Sequence, residues 1–145
     1  MNNPRWIMPV LGVCVFLSTA HSGQTYYGGI SLENTTIESP VKVYGFACFK
    51  GVAFDKEVDV YGSLTASGSH FYDDVKVVGS SVEFSSNIIE GNVTIINYLK
   101  RPRLVLKNTE IHGKVIFRGL KKGIVEKDAS SHLGQGVENG DVCDA

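Results

Sequence analysis

The sequence predicts an all-β, single-domain β-solenoid (β-helix) of about five to six coils with repeats of about 17–22 residues, preceded by a signal peptide. Three observations carry this. An apolar pattern recurs about every seventeen residues from Ile30 to at least Phe117, each copy closes on x-Gly or x-Asn, and apolar and polar side chains alternate within a copy at strand period.

Each copy reads apolar-x-apolar, four residues, apolar, three residues, apolar-x-apolar. The first places Ile30, Leu32, Ile37, Val41 and Val43 in the slots and closes at Gly45. The second has Ala47, Phe49, Phe54, Val58 and Val60, closing at Gly62, and the third Leu64, Ala66, Phe71, Val75 and Val77, closing at Gly79. The fourth has Val82, Phe84, Ile89, Val93 and Ile95, closing at Asn97, and the fifth Leu104, Leu106, Ile111, Val115 and Phe117, closing at Gly119. Leu32–Ile37 and Leu106–Ile111 even share wording, with an Asn-Thr pair at Asn34 and Asn108. The middle slot steps from 37 to 54, 71, 89, 111 and a degraded sixth copy at Leu133. Periods of this length mark solenoids, in which no single turn buries its own face. Val41 and Val43 then point inward and Lys42 outward, and the closing Gly or Asn suits a sharp turn at positive φ. A helix is excluded because the apolar residues do not recur at i, i+3, i+4 and a glycine would interrupt each one.

Coils stacked about 4.8 Å apart align their outward residues in ladders. Lys42, Asp59 and Lys76 form one, alternating in sign, and Tyr44 lies over Tyr61 in the next. Both are expected to be solvated ladders that stabilise the stack; a tyrosine-based binding strip is the sharper reading.

Residues 1–20 have the make-up of a secretory signal: Arg5, an apolar stretch from Ile7 to Leu17, then Ser18-Thr19-Ala20 as a cleavage site before His21. The expected location is exported, either periplasmic or extracellular at the cell surface. The apolar stretch is short for a bilayer span, so no stable membrane span is expected after cleavage. The alternatives are an uncleaved anchor or a lipoprotein through Cys14, which the bulky Val13 fits badly. Residues 21–29 form a lead-in, 30–119 the solenoid, and 120–145 a degraded sixth coil or cap with an acidic tail.

Cleavage leaves Cys48 and Cys143. Cys48, beside inward Phe49, faces out on the second coil, and Cys143 follows the sixth, about 19 Å away by strand spacing. A disulfide tolerates only about 7 Å between Cα atoms. Free thiols or an intermolecular bridge are therefore expected, unless the tail folds back to allow an intramolecular one.

Charge is unevenly placed. Residues 21–99 carry four basic and nine acidic residues, 100–127 nine basic and two acidic, and 128–145 four acidic. The basic segment holds both long insertions, Lys100-Arg101-Pro102-Arg103 and Leu120-Lys121-Lys122-Gly123, each just after the closing residue, so both should leave the same corner of neighbouring coils. With Arg118 they form a candidate site for an anionic envelope polymer, lipid head groups or a partner protein. The blander expectation is a solvated corner onto which the acidic tail folds. Tyr98 is the only aromatic residue there, and the export signal also argues against nucleic acid.

No metal, cofactor or catalytic site is expected. His21, His70, His112 and His132 lack ligand spacing, and His70 and His112 should face solvent on different coils. Asp73-Asp74 falls in a turn between slots, and no Gly-x-Ser-x-Gly, phosphate-cradling loop or Cys-x-x-Cys occurs.

The runs Val41-Lys42-Val43-Tyr44-Gly45 and Val58-Asp59-Val60-Tyr61-Gly62 resemble the coils of bactofilins, polymer-forming bacterial β-helical scaffolds. The resemblance spans Ile30 to Gly119, lies in spacing, and implies a β-helix with a scaffolding role. Bactofilins are mostly cytoplasmic, whereas this chain carries an export signal. The functional expectation is a non-enzymatic structural or self-assembling envelope protein, a homo-oligomer joined end to end by open strand edges. The alternative is an adhesin-like binding module using the basic corner.

Overall fold

The structure, a computed structural model, describes residues 23–144. The predicted signal peptide lies outside them. Among the described residues there is no helix, and hence none long and apolar enough to cross a membrane. Every strand pairing is parallel.

The strands follow one another coil by coil. The first coil is β1 (Gln24–Tyr27), β2 (Ile30–Glu33) and β3 (Thr36–Ile37). The second is β4 (Val41–Lys50) and β5 (Ala53–Phe54), the third β6 (Val58–Ser67) and β7 (His70–Phe71). The fourth is β8 (Val75–Val78), β9 (Ser81–Ser85) and β10 (Ile88–Ile89), and the fifth β11 (Val93–Ile96), β12 (Arg103–Lys107) and β13 (Glu110–Ile111). The sixth is β14 (Val115–Arg118), β15 (Gly123–Lys127) and β16 (His132–Leu133), and β17 (Val137–Glu138) with β18 (Gly140–Asp144) opens a seventh. The result is a three-faced β-solenoid of seven stacked coils. It has more coils than the apolar pattern counts, for two reasons. Gln24–Tyr27 pairs with Val41–Tyr44, and the tail stays in register although some of its inward slots, at Asn139 and Asp144, have become polar.

All the predicted slots of the five coils are buried, none more than 5% exposed. Phenylalanines thread the column: Phe49 meets Phe54 edge to face at 4.7 Å, Phe54 stacks on Phe71 at 4.9 Å, and Phe71 meets Phe84 at 5.8 Å. Burying each such ring contributes on the order of 2–3 kcal/mol. Each coil touches only its neighbours, so the column must be continuous to be stable.

The closing glycines have the expected positive φ at Gly45 (137°), Gly62 (153°) and Gly119 (158°), but without the expected sharp turn. The chain does not turn sharply at Gly45 or Gly62; β4 and β6 run through them, bending from the first face to the second. Glycine is required because the corners of successive coils pack backbone on backbone. A methyl group on Gly62 would collide with the Gly45 carbonyl oxygen, and one on Gly79 with that of Gly62. The left-handed turn lies elsewhere, between the second and third faces, where Asn34, Gly51, Gly68, Ser86 and Asn108 have φ of 50°, 63°, 59°, 58° and 48°. Asn, Gly and Ser share this slot because a short polar side chain or none tolerates that conformation.

Next to that slot runs a buried polar ladder. Ser69 Oγ accepts from Val52 N–H at 3.1 Å, Asn87 Oδ1 from Ser69 N–H at 2.7 Å, Thr109 Oγ1 from Asn87 N–H at 3.3 Å, and Ser131 Oγ from Thr109 N–H at 3.0 Å. Each side chain satisfies a buried amide of the coil before, which would otherwise be orphaned at the bend.

The two ends differ. Leu32, Phe49, Ala66, Phe84 and Leu106 stack in one inward slot, and the next residue in that register is Lys127, followed by Asp144. Lys127 Nζ donates to the Ser131 carbonyl at 3.4 Å and lies 3.7 Å from Asp144 Oδ1. Beyond Phe117, Asn139 turns at φ 61° and its Nδ2 donates to the Phe117 carbonyl. Leu133 and Val137 are only part-buried, and Val142 is 44% exposed. Inward charge on an edge strand is a recognised means of blunting it.

Candidate functional site

Outside the column, the predicted ladders form. Tyr27 extends the tyrosine ladder, stacking on Tyr44 at 5.3 Å, and Tyr44 stacks on Tyr61 at 4.9 Å. Lys76 Nζ lies 5.7 Å over the Tyr61 ring and 4.0 Å from Asp59 Oδ2. Ring faces turned on one another in this way hold coils together, which favours the structural reading of the strip. Asp74, in the predicted turn, accepts from Asn92 N–H at 2.8 Å, and Asn92 Oδ1 accepts from Lys114 N–H at 2.8 Å, so this turn too ties coil to coil.

Cys48 and Cys143 fall in one outward ladder, Ser31, Cys48, Thr65, Glu83, Val105, Glu126, Cys143. Five strand steps separate them, about 24 Å at the usual spacing, and they form no disulfide with each other.

The two insertions do leave one corner, between the first and second faces. Asn97 Oδ1 accepts from the amides of Leu99 and Lys100 at 2.8 and 2.7 Å, starting the first loop, and Arg101 Nε donates to the Lys122 carbonyl at 2.9 Å, tying it to the second. The acidic tail reaches this corner: Asp141 lies 3.2 Å from Arg101 Nη2 and 3.8 Å from Lys122 Nζ. Arg103 is held 2.7 Å from Glu126. Among the described residues Lys100, Arg118 and Lys121 pair with no carboxylate, and all three are exposed. The six predicted residues thus split into three neutralised within the chain and three facing solvent.

A second cluster was not visible in the sequence. On the third face Glu90 receives His70 Nε2 on one carboxylate oxygen and His112 Nδ1 on the other, both at 2.7 Å, while His112 Nε2 lies 3.2 Å from Glu110. His70 stacks on Tyr72 at 3.9 Å. Ionised carboxylates only accept, so His112, set between two of them, is placed to donate from both nitrogens, an arrangement that favours the imidazolium. Its pKa is raised, first by Glu110 and then by Glu90, and that of Glu90 is lowered by His70 and then His112. The signal lay in the coil steps of 18 and 22, which bring residues 72, 90 and 112 into one row. The histidines engage opposite oxygens of Glu90, and no group of three or more residues arranged to hold a metal ion occurs among the described residues.

The stability supplied by this cluster has a pH window. A lowered Glu90 pKa stabilises above the ordinary value of 4.5 and is lost as pH falls through the lower folded value. A raised His112 pKa stabilises below 6.5 and is lost as pH rises through the higher folded value. Both contribute fully between 4.5 and 6.5. Glu90→Gln should therefore lower stability by under about 1 kcal/mol, as for exposed pairs, with the gap from wild type widest near pH 5–6. Thermal melts from pH 3 to 9 measure it; a gap independent of pH refutes the assignment.

Compared with known protein families, with characterised proteins and with solved structures, the chain matches none.

Proposed function

We propose that the chain is a non-enzymatic structural β-solenoid of the exported kind, a rigid envelope element that associates end to end, with a charged C-terminal rung keeping those assemblies short. The observation that carries this is the continuous column, in which the predicted slots are buried and tyrosine, ion-pair and amide ladders tie each coil to the next. A surface engaged in holding coils together suits a rod. The bactofilin-like spacing of Val41–Gly45 and Val58–Gly62 supports a scaffolding role.

Open strand edges supply the means of association, and Lys127, Asp144 and Asn139 supply the brake, since an incoming coil would have to desolvate them. Sedimentation velocity with electron microscopy tests both. Wild type should form short oligomers as concentration rises, and the double variant Lys127→Leu, Asp144→Leu should form longer linear particles. Strict monomers of both, unaffected by salt, overturn the proposal.

A second reading, a module that binds an anionic envelope polymer or protein, draws on the exposed Lys100, Arg118 and Lys121.

A further inference from the structure

Corner loops that insert into a solenoid are free of its packing rules, so the apolar side chains they carry need an explanation of their own. The coil closes in 17 residues; the steps to Ile111 and Leu133 are 22. The additional residues bring Tyr98, Leu99 and Leu120 out of the stack at 60%, 87% and 84% exposure. One bare leucine is ordinary, but two on neighbouring loops with Tyr98 beside them form an exposed apolar group. The loops are joined, since Arg101 Nε donates to the Lys122 carbonyl, and the first is braced by Asn97, so the three side chains are presented together. Around them stand Lys100, Arg118 and Lys121, facing solvent, while Asp141 draws off the charge of Arg101 and Lys122.

We propose that this corner docks the solenoid on the surface of a lipid bilayer containing anionic lipids, Leu99 and Leu120 entering the acyl boundary, Tyr98 lying at head-group level, and Lys100, Arg118 and Lys121 meeting phosphates. Aliphatic tips set among cations, with an aromatic residue beside them, match the three layers of an interface. A soluble polyanion would use the cations and leave the leucines in water. The contact is peripheral, since two loop tips reach only the outer few ångströms of a leaflet. It rests on the basic-corner reading, narrowing its partner to a lipid surface and adding the leucines to the site, and stands apart from end-to-end association, which uses other residues.

The test reads the loop itself, in the full chain, so that binding by residues 1–20 does not obscure it. In a Trp6→Phe, Leu120→Trp variant the only indole lies at the tip of the second loop. On vesicles of phosphatidylcholine with one third phosphatidylglycerol, its emission should shift to the blue and be quenched by lipids brominated along their chains. On phosphatidylcholine alone, or with dextran sulfate, it should not shift. Adding Leu99→Ser, or Lys100→Glu with Lys121→Glu, should weaken partitioning at least tenfold, and 0.5 M NaCl should weaken it also. An indole that stays water-exposed on anionic vesicles overturns the proposal. Binding to dextran sulfate without any shift on vesicles assigns the corner to a soluble polyanion and overturns it too. An equal shift on neutral vesicles removes the role given to the cations. The exposed loop positions lie outside the column, and an unchanged circular dichroism spectrum confirms that each variant is folded.

Discussion

Gly62→Ala should be among the most damaging single-methyl substitutions in this chain, lowering stability by at least about 3 kcal/mol. Its added carbon would meet the Gly45 carbonyl oxygen, and Gly79 of the following coil packs on Gly62 in the same way. Neither neighbour is a flexible side chain that can swing aside. Relief therefore requires two coils to separate at the corner, straining the pairing of β4 with β6, which runs from Val41↔Val58 to Lys50↔Ser67. Gly136→Ala is the control: like Gly62, at φ 153°, it has positive φ, 86°, but nothing lies near the added carbon. It should cost only about 1 kcal/mol, the conformational penalty alone. Chemical denaturation of both variants, followed by circular dichroism, separates the two causes. Equal losses would show that backbone conformation, and not close approach, governs the glycine corner.

The second large effect is expected at Asn87. Its side chain accepts from Ser69 N–H and donates to the Ala66 carbonyl at 2.8 Å, and both contacts are buried. Asn87→Ala leaves that amide without a partner and should cost about 2–3 kcal/mol, lowering Tm by roughly 10 °C. Asn87→Ser should recover much of the loss, because Ser69 and Ser131 fill the same slot in other coils with a hydroxyl. If alanine and serine are equally damaging, the amide ladder is not what stabilises this bend.

The column was legible because its logic is periodic. A buried slot must be apolar in every coil, so Phe54, Phe71 and Ile89 announce one another at steps of 17 and 18. The shared corner of the two insertions was legible for the same reason: Asn97 and Gly119 occupy equivalent slots, and Gly119 packs on the Asn97 carbonyl. What escaped depends on rows rather than on period. The left-handed slot is filled by Asn34, Gly51, Gly68, Ser86 and Asn108. These three residue types share a conformational tolerance but no hydropathy, so the repeated Asn-Thr wording marked the repeat without marking the turn. Ser69, Asn87, Thr109 and Ser131 likewise vary in identity while making one kind of contact. His70, Glu90 and His112 meet only because two coils of unequal length bring 90 and 112 side by side. Lys127 was hidden because the sixth coil was followed through Leu133 and Val137, and the pair that opens it, Val125-x-Lys127, breaks the apolar-x-apolar rule at its second position.

The 17-residue and 22-residue coils share the same three faces, and nearly all of the difference in length is taken up at the bend where Tyr98 and Leu120 emerge, the sixth coil adding one residue at its Asp128–Ser131 turn. Residues can therefore be gained or lost there without altering the cross-section of the rod. That bend is the natural place for sequence drift to acquire new surface, and for an engineer to graft a foreign segment, because length changes there are absorbed sideways and leave the stack in register.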